Sequence, residues 1–206
     1  MMTSAQPAQL SNTCWAMTGG IACGKSSVAA IMETSGWAVV DSDRIAREVV
    51  EPGQEGYQIV VDAFGTSILK EDRSINRGRL RHMVFSDPIQ RNHLNSLLHP
   101  LIKKRWQDEL EIIFRREPGR PVVVVIPLLY EAGFDGDFLN VVAVGCSLEL
   151  QRIRLAGRGL SEEMLEGMID SQMPVAEKCR RAGRVIWNDG SLELLKGQVN
   201  RLLEQP

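Results

Sequence analysis

Several things that would place a chain in a functional class are scarce or missing. Among 206 residues there are four cysteines and three histidines, and Cys14, Cys23, Cys146 and Cys179 form no Cys-x-x-Cys pair. This argues against a zinc framework or a disulfide scaffold. Cys14 and Cys146 lie in apolar segments and read as small hydrophobes. Cys23 reads as a small residue filling a loop position rather than a redox centre. Reduced thiols suit a cytoplasmic protein. No stretch approaches the roughly 20 apolar residues of a membrane span. Residues 1–12 lack the basic start and apolar middle of a secretion signal and are expected to form a disordered tail. The formal net charge is −2, so no global basic field draws the chain to nucleic acid or an anionic membrane. Polyanionic substrates would need positive potential gathered in one cleft. There is no internal repeat, no low-complexity tract and no Asn-Lys-x-Asp guanine-reading motif.

What is present is an alternation of short apolar runs with longer amphipathic stretches, the pattern of an α/β fold with a parallel sheet. Strands are expected at 13–18, 37–40, 122–126, 141–144 and 184–187, and helices at 26–34, 148–158 and 192–203. From Gln54 to Arg116 only helical patterns occur, so a helical subdomain is expected between the second and third strands. Within it Pro88 and Pro100 each read as a first helical residue. These patterns divide the chain into a core (13–52, 117–150 and 176–206), a helical domain (53–116) and a lid (151–175).

The strongest motif is Gly19-Gly20-Ile21-Ala22-Cys23-Gly24-Lys25-Ser26, which satisfies G-x-x-x-x-G-K-[ST] between a strand and a helix. A loop that wraps phosphate must turn its N–H groups inward, through conformations best reached by glycine. The helix that follows adds unpaired N–H donors and the positive end of its dipole. Lys25 then reaches the β and γ phosphates, and the Ser26 hydroxyl ligates the Mg²⁺ that accompanies ATP.

A phosphate cradle holds only a donor; transfer also needs a group that takes the acceptor's proton. Asp41 and Asp43 follow the second strand, where ligands lie in parallel α/β folds. One of the two can cap the next helix and one can serve as base, with Glu131 the nearby alternative. Asp62, in Ile59-Val60-Val61-Asp62-Ala63-Phe64-Gly65, imitates a GTPase metal segment, but its helical surroundings favour a helix ending at Gly65. Arg154 and Arg158, four apart, are expected on one helix face, either solvated or closing over phosphates as part of the lid. His99 reads equally as structural or functional.

Taken in order, the landmarks Thr18-Gly19-Gly20-Ile21, Gly24-Lys25-Ser26-Ser27, Asp41-Ser42-Asp43 with Ile45-Ala46-Arg47, Val84-Phe85-Ser86-Asp87-Pro88, Leu94 to Pro100, Pro127 to Glu131, Gly159-Leu160-Ser161 and Gln172-Met173-Pro174 resemble the dephospho-coenzyme A kinase family from Trp15 to Leu203. The resemblance implies a P-loop kinase core with a five-stranded parallel sheet flanked by helices, an inserted helical acceptor-binding domain and a helical lid. It implies transfer of the ATP γ-phosphate to the 3′-hydroxyl of dephospho-CoA. It assigns Asp43 as the base, with Lys25 and Arg154 as the other catalytic groups. ATP-binding positions are Gly19 to Ser27, Arg158 and Asn188, and dephospho-CoA positions are Asp43, Arg47, His99, Pro127, Leu128 and Leu129. The chain departs from the family pattern in three places. Ala22-Cys23 stands for a common Gly-Ser pair, the segment between Arg158 and Gly159 is one residue short, and Gly183 replaces a usual acid. Two other readings share the loop: a kinase for a nucleoside monophosphate or sugar acid, and a nucleotide-dependent switch with no acceptor.

Overall fold

Four consecutive valines, Val122 to Val125, are all buried, and β-branched residues apolar on both faces are what an interior parallel strand requires. The structure, a computed structural model, describes residues 12–159 and 161–204, with backbone alone at 85 and 86. The expected tail therefore lies, apart from Asn12, outside the described residues, as does Leu160. The strands are β1 (Cys14–Gly19), β2 (Ala38–Asp41), β3 (Val122–Val125), β4 (Asn140–Gly145) and β5 (Arg184–Trp187). They form one five-stranded parallel sheet in the order β2-β3-β1-β4-β5. The helices are α1 (Lys25–Thr34), α2 (Ser42–Glu48), α3 (Glu55–Phe64), α4 (Arg77–Ser86), α5 (Pro88–Arg116), α6 (Leu148–Ala156), α7 (Glu162–Asp170), α8 (Val175–Arg181) and α9 (Leu192–Leu203).

The described residues fall into two compact units. Residues 12–40 and 113–204 make the first. Here β1 pairs with β3 from Cys14↔Val122 to Met17↔Val125 and with β4 from Trp15↔Asn140 to Gly19↔Val144. Because the chain fills β2 and β3 on one side of β1 and then crosses to β4 and β5 on the other, the carboxyl end of β1 is a switch point, where α/β sheets open a crevice. Trp15, Met17, Val28, Met32, Val123, Val144 and Val199 build one core around this strand, and Trp15 meets Trp37 edge to face with centroids 5.0 Å apart.

Residues 41–112 make the second unit, packed on Val60, Phe64, Ile68, Ile75, Leu80 and Val84. Gly65, at φ 77°, ends α3, and the Asp62 carboxylate accepts from Gln58 Nε2 four residues earlier. Asp62 therefore belongs to a helix surface and not to a metal segment. Pro88 does begin a helix, but Pro100 does not: α5 runs through it. An interior proline costs about 3 kcal/mol. Here Leu94, Leu97 and Leu98, packed on the unit's core, hold the segment helical across it.

Candidate active site

At the carboxyl end of β1 the backbone turns where only glycine fits. Gly19 has φ 147°, and a Cβ there would lie 2.1 Å from the Val144 carbonyl on β4. Gly24 has φ 95°, and its Cβ would lie 2.1 Å from Asn188 Nδ2. Ala22, also left-handed at φ 59°, occupies such a conformation with a side chain, at a cost of about 1–2 kcal/mol. The α1 helix starts at Lys25, so the N–H groups of its first turn face the loop.

The loop's carbonyls are held one after another by side chains. Lys25 Nζ donates to Gly19 O (3.0 Å) and Gly20 O (2.8 Å). Gln151 Nε2 donates to Ile21 O (2.7 Å), Arg154 Nη1 to Ala22 O (3.1 Å) and Asn188 Nδ2 to Cys23 O (2.8 Å). A trans peptide directs its N–H opposite to its C=O. Each tie on a carbonyl therefore also fixes the direction of the N–H in the same peptide, and the Cys23 N–H turns back to Gly20 O (3.3 Å). The Ile21 N–H is taken by Gln172 Oε1 (3.0 Å), so the loop's tip is gripped on both sides by glutamines from the 151–175 segment. A second bond from Arg154 Nη2, to Asn188 O (2.9 Å), joins the arginine to the β5–α9 turn.

Arg154 therefore lies at the loop, on α6. Arg158 does not share its face. The α6 helix ends at Ala156 with Gly157 as its cap, and Arg158 is an exposed residue of the following turn. Gly157 itself keeps helical angles (φ −61°, ψ −10°), and the left-handed glycine is Gly159 (φ 74°), one residue past Arg158. Arg152, also on α6, pairs with Glu166 of α7 at 2.6 Å.

Beyond β3, Pro127 and Leu129 are buried and Leu128 is half-buried. The Pro127 carbonyl accepts from Thr18 Oγ1 (3.1 Å) and from Lys178 Nζ. Lys178 is fully buried, and its ammonium also meets Glu131 Oε1 at 2.8 Å. The same carboxylate accepts from the Met173 N–H (2.8 Å). Glu131 is thus committed to holding the segment Pro127–Glu131 against α8 and its preceding turn.

In the second unit Asp41 resolves an ambiguity: its carboxylate accepts from the N–H groups of Asp43 (2.8 Å) and Arg44 (3.4 Å) as the α2 cap. Asp43 is exposed in the first helical turn, where the dipole favours an ionised carboxylate. Arg47 is exposed on the last turn of α2, and its carbonyl accepts from Arg77 Nη2 (3.1 Å). His99 is half-buried on α5, and burial lowers its pKa by disfavouring the charged ring.

Gln151 and Lys178 went unnoticed in the sequence, and Gln172 entered only as part of a landmark with no role given to it, although Gln151 precedes Arg154 by three residues and so shares its helix face.

The dephospho-CoA kinase family profile matches residues 13–193. A dephospho-CoA kinase of Geobacillus kaustophilus is 39% identical over 191 residues, covering 92% of this chain and 94% of that protein. One from Symbiobacterium thermophilum is 41% identical over 185 residues, covering 89% and 77%. Among solved structures, dephospho-CoA kinase from Campylobacter jejuni is similar with a TM-score of 0.68 at 24% identity, covering 94% of this chain and 96% of that one. That last likeness is one of fold.

Proposed function

The chain belongs to the dephospho-CoA kinase family, and on that premise we propose how its residues divide the work of the reaction. The enzyme transfers the γ-phosphate of ATP to the 3′-hydroxyl of the dephospho-CoA ribose, giving CoA and ADP. The donor half is carried by one observation: a loop from Gly19 to Ser26 whose carbonyls, from Gly19 to Cys23, are all held by side chains.

On binding ATP, Lys25 exchanges the Gly19 and Gly20 carbonyls for β- and γ-phosphate oxygens, and the N–H groups of the loop and first turn of α1 hold the same anion. Ser27 adds its place in that turn. Asn188 borders the adenine, and Arg158 closes toward the nucleotide from the lid. Arg154 places positive charge beside the transferring phosphoryl group. Asp43 takes the proton of the 3′-hydroxyl, with Arg47, His99 and Pro127 to Leu129 on the acceptor side. The divisions proposed are a core (13–52, 117–150 and 176–206), an acceptor domain (53–116) and a lid (151–175).

Among the described residues no three His, Cys, Asp or Glu side chains gather into a metal cage. The hydroxyls of Ser26 and Ser27 stand at the start of α1, and Ser26 is the one we assign to the ion. That donor set suits Mg²⁺, which keeps waters and is held largely by substrate phosphates. Held there by Ser26, Mg²⁺ would supply positive charge against the phosphates of ATP. No described helix is long and apolar enough to cross a membrane. With the four cysteines free, we place the enzyme in the cytoplasm, acting on small molecules rather than nucleic acid.

The test is ADP release from ATP·Mg²⁺ over a panel of acceptors. Turnover is expected with dephospho-CoA and not with nucleoside monophosphates or sugar acids. Turnover on a nucleoside monophosphate with none on dephospho-CoA overturns the acceptor assignment, and slow hydrolysis without any acceptor preference supports a nucleotide switch instead.

A further inference from the structure

Cys23, in the middle of the phosphate loop, does not merely fill space. Its sulfur lies 3.4 Å from the sulfur of Cys146, the residue that follows β4, and both side chains are buried in the same core. The two positions are 123 residues apart in sequence. We propose that Cys23 and Cys146 form an oxidative modification site, in which a hydroperoxide converts the pair to a disulfide that disables the phosphate loop and thiols restore it.

The site has an approach. A cavity of about 500 Å³ is lined by Gly20, Ile21, Cys146, Gln151, Pro174 and Trp187, among others. Gly20 carries no side chain, and a Cβ placed on it would sit 3.0 Å from the Cys23 sulfur. The Cys23 sulfur thus has two neighbours that face the cavity, Gly20 and Cys146. The thiols are also unequal. The Cys146 S–H donates to Cys23 and the Lys25 ammonium is close by, which lowers the Cys23 pKa to about 7. Burial pushes Cys14 up to about 12 and raises Cys179. The thiolate is the reactive form, so charge favours Cys23, and oxidant reaches its buried sulfur past Gly20 and Cys146, which line the cavity.

The chemistry balances. The Cys23 thiolate attacks one peroxide oxygen and the O–O bond breaks, leaving a sulfenic acid on Cys23 and releasing an alkoxide that leaves as alcohol. The Cys146 sulfur then attacks the Cys23 sulfur. The S–S bond forms, the S–O bond breaks, and hydroxide departs as water with the Cys146 proton. Two thiols are oxidised, and the hydroperoxide is reduced to alcohol and water.

Closure changes the loop. The sulfurs must approach from 3.4 Å to about 2.05 Å, pulling Cys23 against Gly24 and against the Asn188 amide bonded to the Cys23 carbonyl. Displacements of about 1 Å in a reacting site cost on the order of 10²-fold in rate. The inhibition rests on the reading of the loop as the nucleotide site; the cross-link does not.

The experiment uses the full chain in a Cys14→Ser background, where tryptic peptide 1–25 carries Cys23 alone and peptide 117–152, uncut at Arg120-Pro121, carries Cys146. Reduced protein is treated with tert-butyl hydroperoxide, alkylated, digested and analysed by mass spectrometry, in parallel with kinase assays. We expect the two peptides joined with loss of two hydrogens, activity lower by ~10²-fold, and recovery of both on adding dithiothreitol. With Cys146→Ser added, the reduced enzyme keeps the starting activity. After peroxide it shows no cross-link, and dimedone traps Cys23 as the sulfenic acid. A cross-link to Cys179, stable oxygen addition at Cys23 with Cys146 present, unreacted Cys23 in the folded enzyme, or a cross-linked enzyme of full activity each overturns the proposal. A preparation without kinase activity that still forms the cross-link contradicts the nucleotide reading and leaves the thiol chemistry standing.

Discussion

Replacing Lys178 by methionine removes a charge from a side chain with no exposure to water, while keeping most of its volume. The ammonium has two partners, the Glu131 carboxylate and the Pro127 carbonyl. Breaking a buried ion pair from one side costs about 3–5 kcal/mol, because the remaining charge loses its compensation. Glu131 is 22% exposed and keeps the Met173 N–H, so water and that donor recover part of the loss. The Pro127 carbonyl keeps the Thr18 hydroxyl, so it is not orphaned. The expected cost of Lys178→Met is therefore about 2–4 kcal/mol. Urea unfolding should show a lower midpoint at unchanged slope. Adding Glu131→Gln removes the stranded charge while leaving an amide oxygen for Met173, and the double mutant should recover at least about 1 kcal/mol as coupling. In kinase assays the single mutant should raise KM for dephospho-CoA more than for ATP, because the Pro127 to Leu129 segment loses its tether. If Lys178→Met unfolds within about 0.5 kcal/mol of the wild type, or if the double-mutant cycle shows no coupling, the pair does not anchor that segment and this reasoning fails.

Four further outcomes follow from single residues. Gly24→Ala forces a side chain into φ 95° and onto Asn188 Nδ2, so ATP affinity measured by calorimetry should fall by at least ~10-fold, given about 1–2 kcal/mol for the backbone and about 1–3 for the displaced amide; an unchanged affinity would refute the steric account. Ala22→Gly relieves a left-handed alanine and should raise the unfolding free energy read from urea denaturation by up to about 1 kcal/mol, whereas a lower value would show that Ala22 is not strained. Asp43→Asn should leave ATP binding intact and lower transfer by at least ~10²-fold; survival of transfer removes Asp43 from the role of base. Burial lowers the His99 pKa, so the unfolded chain binds the proton first: stability is complete above the unfolded value of about 6.5, falls as pH drops through it, and levels once the folded state also protonates. His99→Gln should flatten that portion of the pH–stability curve, and an unaltered curve would assign the slope to other groups.

Whatever depended on neighbours along the chain was legible, and whatever depended on distant partners was not. Val122 to Val125 could be read as an interior strand, and Gly65 as a helix end, because each carries its own local reason. Pro100 and Arg158 were misread for opposite causes. The leucines that pack the second unit overrode a local breaker at Pro100, while α6 stops at Ala156, short of Arg158, and the left-handed Gly159 ends the turn that follows. At Asp41 and Asp43 the residue types left two roles open, and only backbone geometry separates the cap from the exposed carboxylate. The phosphate loop is the sharpest case. Its motif names the groups that meet the nucleotide, yet a backbone that presents N–H groups inward must still satisfy its carbonyls on the other side. The sequence implies that such partners exist without identifying them: Gln151 lies 130 residues from Ile21, Arg154 lies 132 from Ala22 and Asn188 lies 165 from Cys23. Each comes from a segment following β4 or β5, because strand order, and not proximity in sequence, brings those segments to the end of β1. The same order sets Cys146 against Cys23. A substitution in the loop's variable positions is therefore a change in what the ends of β4 and β5 must hold, and Cys23 acquires a chemistry that its own neighbours in the motif do not confer.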